Sequence, residues 1–379
     1  LTIKSIFVNI VVIVNNFGDF FSMEKTIAIA RGDGVGSEVI EAAVTILNTV
    51  AVKFGHSFNF VEAQVGGSAI DATGSNLPAE CFDKIKSADA LLLGPLGGTA
   101  YEKLASHLRP ERALPSLINH FNLFVTISPV VLYEPFIYSS NIHADAVKKG
   151  LNLVVVQDAL GIKTGNAGYR DGKMGQEAYD TTVYSISEIE RLARFAFDLA
   201  SARVKKVASI DKADSLDSHK LWNATVKRIA KQYKGIKLET LTGERALERL
   251  IQTPASFDVV LAPNLLGSLF TASATSLAST PNLAPVSHIG ATRFGIYTVG
   301  HGAQEELKGT DTANPIAAIL AASMMLSASF NMHKEMFSIE NAVKSALKKG
   351  LGTMDLPASK RIGCQKLTEE IALRVLNNN

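Results

Sequence analysis

Ile27-Ala28-Ile29-Ala30 is an unbroken apolar run that ends at Gly32-Asp33-Gly34-Val35-Gly36. A strand that is apolar on both faces must lie in a sheet covered on both sides. Beyond the glycines, Val39, Ile40, Ala43, Ile46 and Leu47 recur at helical spacing. The same buried-strand signature returns at Ala90–Leu93, stopped by Gly94-Pro95, and at residues 153–156. Amphipathic helices are predicted over residues 187–202, 218–233, 243–251 and 315–330. This alternation predicts an α/β architecture. The chain has 379 residues, enough for two domains with separate cores.

Gly34-x-Gly36 after a strand suits either a phosphate cradle or an ordinary strand-to-helix turn. Its spacing is not that of the dinucleotide fingerprint Gly-x-Gly-x-x-Gly. Lys and Arg number 38 against 36 Asp and Glu, a net charge of +2 that predicts no nucleic-acid partner. Cys81 and Cys364 have no metal-ligand spacing and read as reduced, buried thiols of a cytoplasmic protein. Residues 1–22 contain an apolar stretch shorter than the roughly 20 residues a membrane span takes, so no membrane association is expected. They read as an extension outside the fold, with a targeting segment as the alternative.

Several segments in order resemble the isocitrate and isopropylmalate dehydrogenases. They run from Ile29-Ala30-Arg31-Gly32-Asp33-Gly34-Val35-Gly36 through Gly94-Pro95-Leu96-Gly97-Gly98, Leu108-Arg109-Pro110-Glu111 and Asp211-Lys212-Ala213. Phe257-Asp258-Val259-Val260, Asn264-Leu265-Leu266-Gly267, His301-Gly302 and Ala313-Asn314-Pro315 complete the series. The Arg-Pro-Glu segment leans toward the isopropylmalate branch. The resemblance implies a large domain from residues 23–123 and 279–379, and a small one from 124–278 carrying a dimer interface. It also implies a reaction: hydride passes from a hydroxy acid to NAD or NADP, a Mg or Mn ion polarises the ketone, and carbon dioxide leaves.

That chemistry has physical demands. A polyanionic substrate needs guanidinium forks, a hard divalent ion needs several carboxylates, and the enolate needs a proton donor. The three substrate Arg positions that the resemblance implies are occupied by Ile118, Ser128 and Gln157. Charged hydrogen bonds contribute roughly 1.5–3 kcal/mol each, so the losses would remove roughly 4–9 kcal/mol of recognition. The two Asp ligands expected one helical turn apart are Ser268 and Ala272, leaving Glu244 as the one metal candidate. Mg or Mn is therefore not expected.

Lys212 keeps the catalytic lysine position, and Lys163 falls at that of the tyrosine if one residue is deleted before it. Glu111, His301, Gly302, Glu306 and Asn314 match the cofactor side. Glu306 stands where an acidic side chain would face the ribose hydroxyls of NAD. The losses fall on groups that need one another while the apolar framework is intact. Two readings follow. One is a non-catalytic member, a regulatory subunit or nucleotide-binding pseudoenzyme, as a homodimer or a heteromer with an active relative. The other is an NAD-dependent oxidoreductase acting on a less charged substrate.

Overall fold

The structure is a computed structural model that describes residues 23–140, 144–148, 150–161, 167–278 and 280–377. Its first strand, β1 (Glu24–Ala30), carries the opening apolar run, and α1 (Gly36–Phe54) follows the glycine turn. Then come β2 (Ser57–Glu62), α2 (Gly67–Thr73), α3 (Ala79–Ser87), β3 (Ala90–Leu93) and α4 (Ala113–His120). The middle of the chain gives β4 (Val125–Leu132), β5 (Leu151–Asp158) and an exposed hairpin of β6 (Ala167–Gly172) and β7 (Gly175–Asp180). It continues with α5 (Ile186–Ser201), β8 (Lys206–Asp211), α6 (Asp217–Ala230), β9 (Lys237–Thr242), α7 (Gly243–Gln252), β10 (Val259–Ala262) and α8 (Asn264–Ala278). Last are β11 (Pro285–Ile289), β12 (Gly295–Val299), α9 (Ile316–Ala328), α10 (His333–Lys348), the short pair β13 (Leu351–Gly352) and β14 (Lys360–Arg361), and α11 (Cys364–Asn377). The four helices predicted from periodicity are all present, with ends within three residues of those expected.

Ten strands form one sheet in the order β2-β1-β3-β12-β11-β4-β5-β10-β8-β9. β2, β1, β3 and β12 are mutually parallel, as are β5, β10, β8 and β9. Antiparallel β11 and β4 join the two blocks. The apolar runs explain why the blocks are parallel and doubly covered. In β1, Ile27 and Ile29 enter one core cluster while Ala28 and Ala30 enter another on the opposite face. Leu92 and Leu91 divide in the same way in β3.

α9 is apolar all round and buried along nearly its whole length, as a helix at the centre of a core should be. α5 starts with a capping box in which Ser185 and Glu188 satisfy each other's backbone donors. Cys81 and Cys364 are buried and unpaired, as their spacing predicted. Among the described residues no helix is long and apolar enough to cross a membrane.

Candidate functional site

Three loops leave the C-terminal ends of β1, β3 and β12 side by side, where ligands gather in parallel sheets. The glycine turn after β1 spends three of its donors within the protein. Asp33 N–H donates to Pro95 O at 2.8 Å, Val35 N–H to Ala303 O at 2.8 Å and Gly36 N–H to Asp33 O at 2.9 Å. Gly34 has no room for a side chain, since a Cβ would stand 1.9 Å from Ala303 O. These bonds favour the ordinary-turn reading and tie the loops after β1, β3 and β12 together. The buried Asp33 carboxylate completes the tie by accepting from the N–H groups of Gly67 at 3.0 Å, Ser68 at 3.1 Å and Gly97 at 2.9 Å. Burial outweighs these bonds and raises its pKa above the usual range. The sequence reading passed over Asp33; the signal was an acid between two glycines, both of which adopt positive φ.

Beside this knot lies a cavity of 170 Å³ lined by residues 93–96, Glu111, Leu114, Thr298, Val299 and His301. That is room for about one ring, judged against an engineered cavity of about 150 Å³ that takes benzene. Glu111 and His301 thus come together as the sequence suggested. His301 Nδ1 sits 2.9 Å from the Gly302 carbonyl, to which it donates. Its buried Nε2 is then a bare acceptor with no partner among the described residues. Burial lowers the His301 pKa and keeps the ring neutral. An orphaned acceptor on a ring-sized cavity fits a nucleotide base or amide that offers an N–H.

The other cofactor candidates divide. Gly302 and Glu306 are exposed. Asn314 is buried and engaged within the protein: its Oδ1 accepts from Ile316 N–H at 3.0 Å, and its Nδ2 donates to Asp355 at 3.1 Å. Glu305 makes the contact across the loops, accepting from Thr99.

On the substrate side the expected cations are replaced by neutral packing. Ile118 belongs to an apolar core cluster, and Ser128 is buried in β4. Gln157, on β5, donates from Nε2 to Ser268 Oγ on α8 at 3.0 Å. A position that the resemblance assigns to an Arg and one that it assigns to a metal Asp are thus joined by an uncharged hydrogen bond. Gln157 Oε1 is buried without a partner among the described residues. Ser268 and Ala272 share the exposed side of α8, and neither offers a carboxylate.

Glu244, the remaining carboxylate, is held elsewhere. It pairs with Lys212 Nζ, which also lies 3.3 Å from Asp214. Hydrogen bonding to Lys212 draws the Glu244 pKa down to about 2, and that same bond raises the lysine's. Among the described residues no three His, Cys, Asp or Glu side chains converge in a metal-binding arrangement. Ser268, Ala272 and a lysine-bound Glu244 do not fit a Mg or Mn ion. Lys163 lies outside the described residues.

A second cavity of 170 Å³ opens beside Lys212 and Glu244, lined by Ile210, Leu247, Leu266 and Phe270 among others. Leu265 and Leu269 are exposed next to it on α8.

The model of the isocitrate/isopropylmalate dehydrogenase family matches residues 26–371. The chain belongs to that family. It is 38% identical over 355 residues to the 3-isopropylmalate dehydrogenase of Geobacillus kaustophilus strain HTA426, covering 93% of this chain and 95% of that one. It is 41% identical over 333 residues to that of Mannheimia succiniciproducens strain KCTC 0769BP / MBEL55E, covering 87% and 93%. Among solved structures, isocitrate dehydrogenase from Methylococcus capsulatus superposes with a TM-score of 0.81 at 25% identity, over 93% of this chain and 100% of that one. The isocitrate/isopropylmalate dehydrogenase fold is therefore kept over most of the chain.

Proposed function

We propose that this family member no longer carries out metal-assisted oxidative decarboxylation, and acts as a non-catalytic, nucleotide-binding subunit. The observation that carries this reading is the Gln157–Ser268 hydrogen bond. A neutral amide and hydroxyl satisfy each other where the reaction calls for a guanidinium and a carboxylate. Neither grips a polyanion or seats a divalent ion. Glu111 and His301 would hold the nicotinamide nucleotide, and the cofactor when bound would accept hydride.

The exposed Leu265 and Leu269 beside an apolar cavity support a partner chain on that face, either a second copy or an active relative. Two buried free thiols support a cytoplasmic setting.

The test is turnover by the purified protein with NAD or NADP, Mg or Mn, and isopropylmalate or isocitrate. No rate above the blank is expected. A kcat near about 1 s⁻¹, ordinary for an enzyme, would overturn the proposal. The second reading, a nicotinamide-dependent oxidoreductase of a less charged substrate, is favoured by the unpartnered Gln157 Oε1, an acceptor suited to a hydroxyl. It fails if calorimetry finds that neither NAD nor NADP binds.

A further inference from the structure

We infer that Asp355 is a positioning residue for the His301 site. Through Asn282 it fixes the direction of the Gln304 amide, and so holds the loop that sets which imidazole nitrogen is left as the acceptor. The inference rests on the nucleotide reading for the ligand alone, since the state of His301 can be measured without one.

A carboxylate only accepts hydrogen bonds, so an amide that meets it must turn its NH2 toward it. Asp355 Oδ2 accepts from Asn282 Nδ2 at 3.0 Å and from Asn314 Nδ2 at 3.1 Å. Its Oδ1 accepts from Thr353 Oγ1 at 2.6 Å. Asn282 then has only its Oδ1 for its other neighbour, and that oxygen accepts from Gln304 Nε2 at 3.0 Å. One acid thus dictates the polarity of two amides in series. Asn282 and Asn314 are buried, so neither can trade these bonds for water without cost.

Gln304 lies three residues beyond His301 on the loop after β12. His301 lines the cavity, and the bond from its Nδ1 to Gly302 O at 2.9 Å leaves Nε2 as the bare acceptor. Gly302 is exposed, and a Cβ there would meet nothing within 4 Å, so packing around the glycine does not fix where its carbonyl points. The restraint comes from its neighbours. His301 is buried on one side, and on the other Ala303 O accepts from Val35 N–H at 2.8 Å. Gln304 follows at φ 49°, which a residue with a side chain rarely adopts unless its surroundings hold it there. The bond to Asn282 supplies that hold. Burial lowers the His301 pKa and the charge of Asp355 opposes it, so the carboxylate lies within electrostatic reach of the ring.

The test reverses the polarity. Gln304→Glu sets two acceptors against the single amide of Asn282. Adding Asp355→Asn lets the series run the other way, with the new amide at 355 donating to Asn282 Oδ1 and Asn282 Nδ2 donating to the new carboxylate at 304. Gln304→Met, which can do neither, is the control. Gln304 is half-buried and Asp355 exposed, so the variants should fold. Nitrogen NMR of the histidines reports the His301 tautomer in the full chain, and calorimetry reports NAD binding.

Wild-type His301 should show a protonated Nδ1 and a bare Nε2. Gln304→Glu and Gln304→Met should both weaken that preference and reduce NAD affinity by roughly 5–10-fold, the scale of one lost hydrogen bond. Asp355→Asn/Gln304→Glu should recover both properties, and Asp355→Asn/Gln304→Met should recover neither. Equal recovery in the two double variants, or none in the first, would overturn the inference. So would a His301 signal that both Gln304 variants leave unchanged. If the wild type binds no NAD, the nucleotide reading falls, and the His301 signals alone decide the role of Asp355.

Discussion

Gln157 Nε2 donates to Ser268 Oγ across 3.0 Å, linking the end of β5 to the outer side of α8. Gly267 makes the approach possible, since a Cβ there would lie 2.6 Å from both Gln157 Cβ and Oε1. The contact is local, neutral and well packed, so charge cannot be returned to it one residue at a time. Gln157→Arg alone places an unpaired cation in a buried site and should destabilise the fold by about 3–5 kcal/mol. Adding Ser268→Asp should recover at least half of that loss. Urea unfolding of the wild type, both single variants and the double variant measures the coupling. Strictly additive effects would count against the pairing.

The Asp33 carboxylate ties the start of α2 and the loop after β3 to its own turn through three backbone donors. Asp33→Ala leaves the N–H groups of Gly67, Ser68 and Gly97 without their acceptor. The expected loss is roughly 2–4 kcal/mol, less than three full bonds because the loops relax toward water. Thermal unfolding should show the loss, and hydrogen exchange should quicken at those three amides. Unchanged exchange would mean that the carboxylate is not what holds the loops.

Acid should weaken the fold in a definite window. Burial depresses the His288 pKa from 6.5 to about 4, and its Nδ1 lies 2.9 Å from Thr126 Oγ1. The folded state keeps this imidazole neutral, while the unfolded chain takes up a proton below about pH 6.5. Stability from His288 is therefore complete above about pH 6.5 and is lost as pH falls toward 4, up to about 3 kcal/mol. Burial lowers the pKa of His219, His301 and His333 as well, with the same sign. Urea midpoints measured between about pH 7.5 and 4 should fall, and His288→Gln should flatten the slope. An equal slope in the variant would show that His288 does not carry the effect.

Lys212 presents the opposite case. It is one-third exposed and Glu244 more than half exposed, so their ion pair is solvated. Lys212→Ala should leave the unfolding free energy nearly unchanged. Any larger loss of a binding or catalytic property in that variant would then report on the lysine's chemistry. A clear drop in the urea midpoint would mean that the lysine supports the fold.

Much of the architecture was legible because its strands are short apolar blocks. Ile27, Ile29, Leu91 and Leu92 announce a sheet with two covered faces, and the amphipathic helices announce what covers them. The joining strands were not legible. β4 holds Thr126, Ser128 and Pro129, and β11 holds Ser287 and His288, so neither is a clean apolar run or a clean alternation. The exposed hairpin β6–β7 gave no signal either, since it buries almost nothing.

At the site, the residues at Gln157, Ser268 and Ala272 could be read one by one as losses. That Gln157 and Ser268 satisfy each other could not, because they stand 111 positions apart. The glycine turn suits two readings in sequence, and its bonds to Pro95 and Ala303 favour the ordinary turn. The pairing of Glu305 with Thr99 was not legible, because the two belong to loops 206 positions apart.

The seam between β11 and β4 has a mechanical consequence. Its three rungs, Ser287 with Ile127, His288 with Thr126 and Ile289 with Val125, stitch two oppositely running parallel blocks into one fabric. Neither half can be cut out and expressed by itself without baring a raw backbone edge. A groove between such halves widens only by flexing that fabric, as a leaf spring bows, rather than by turning on a loose tether.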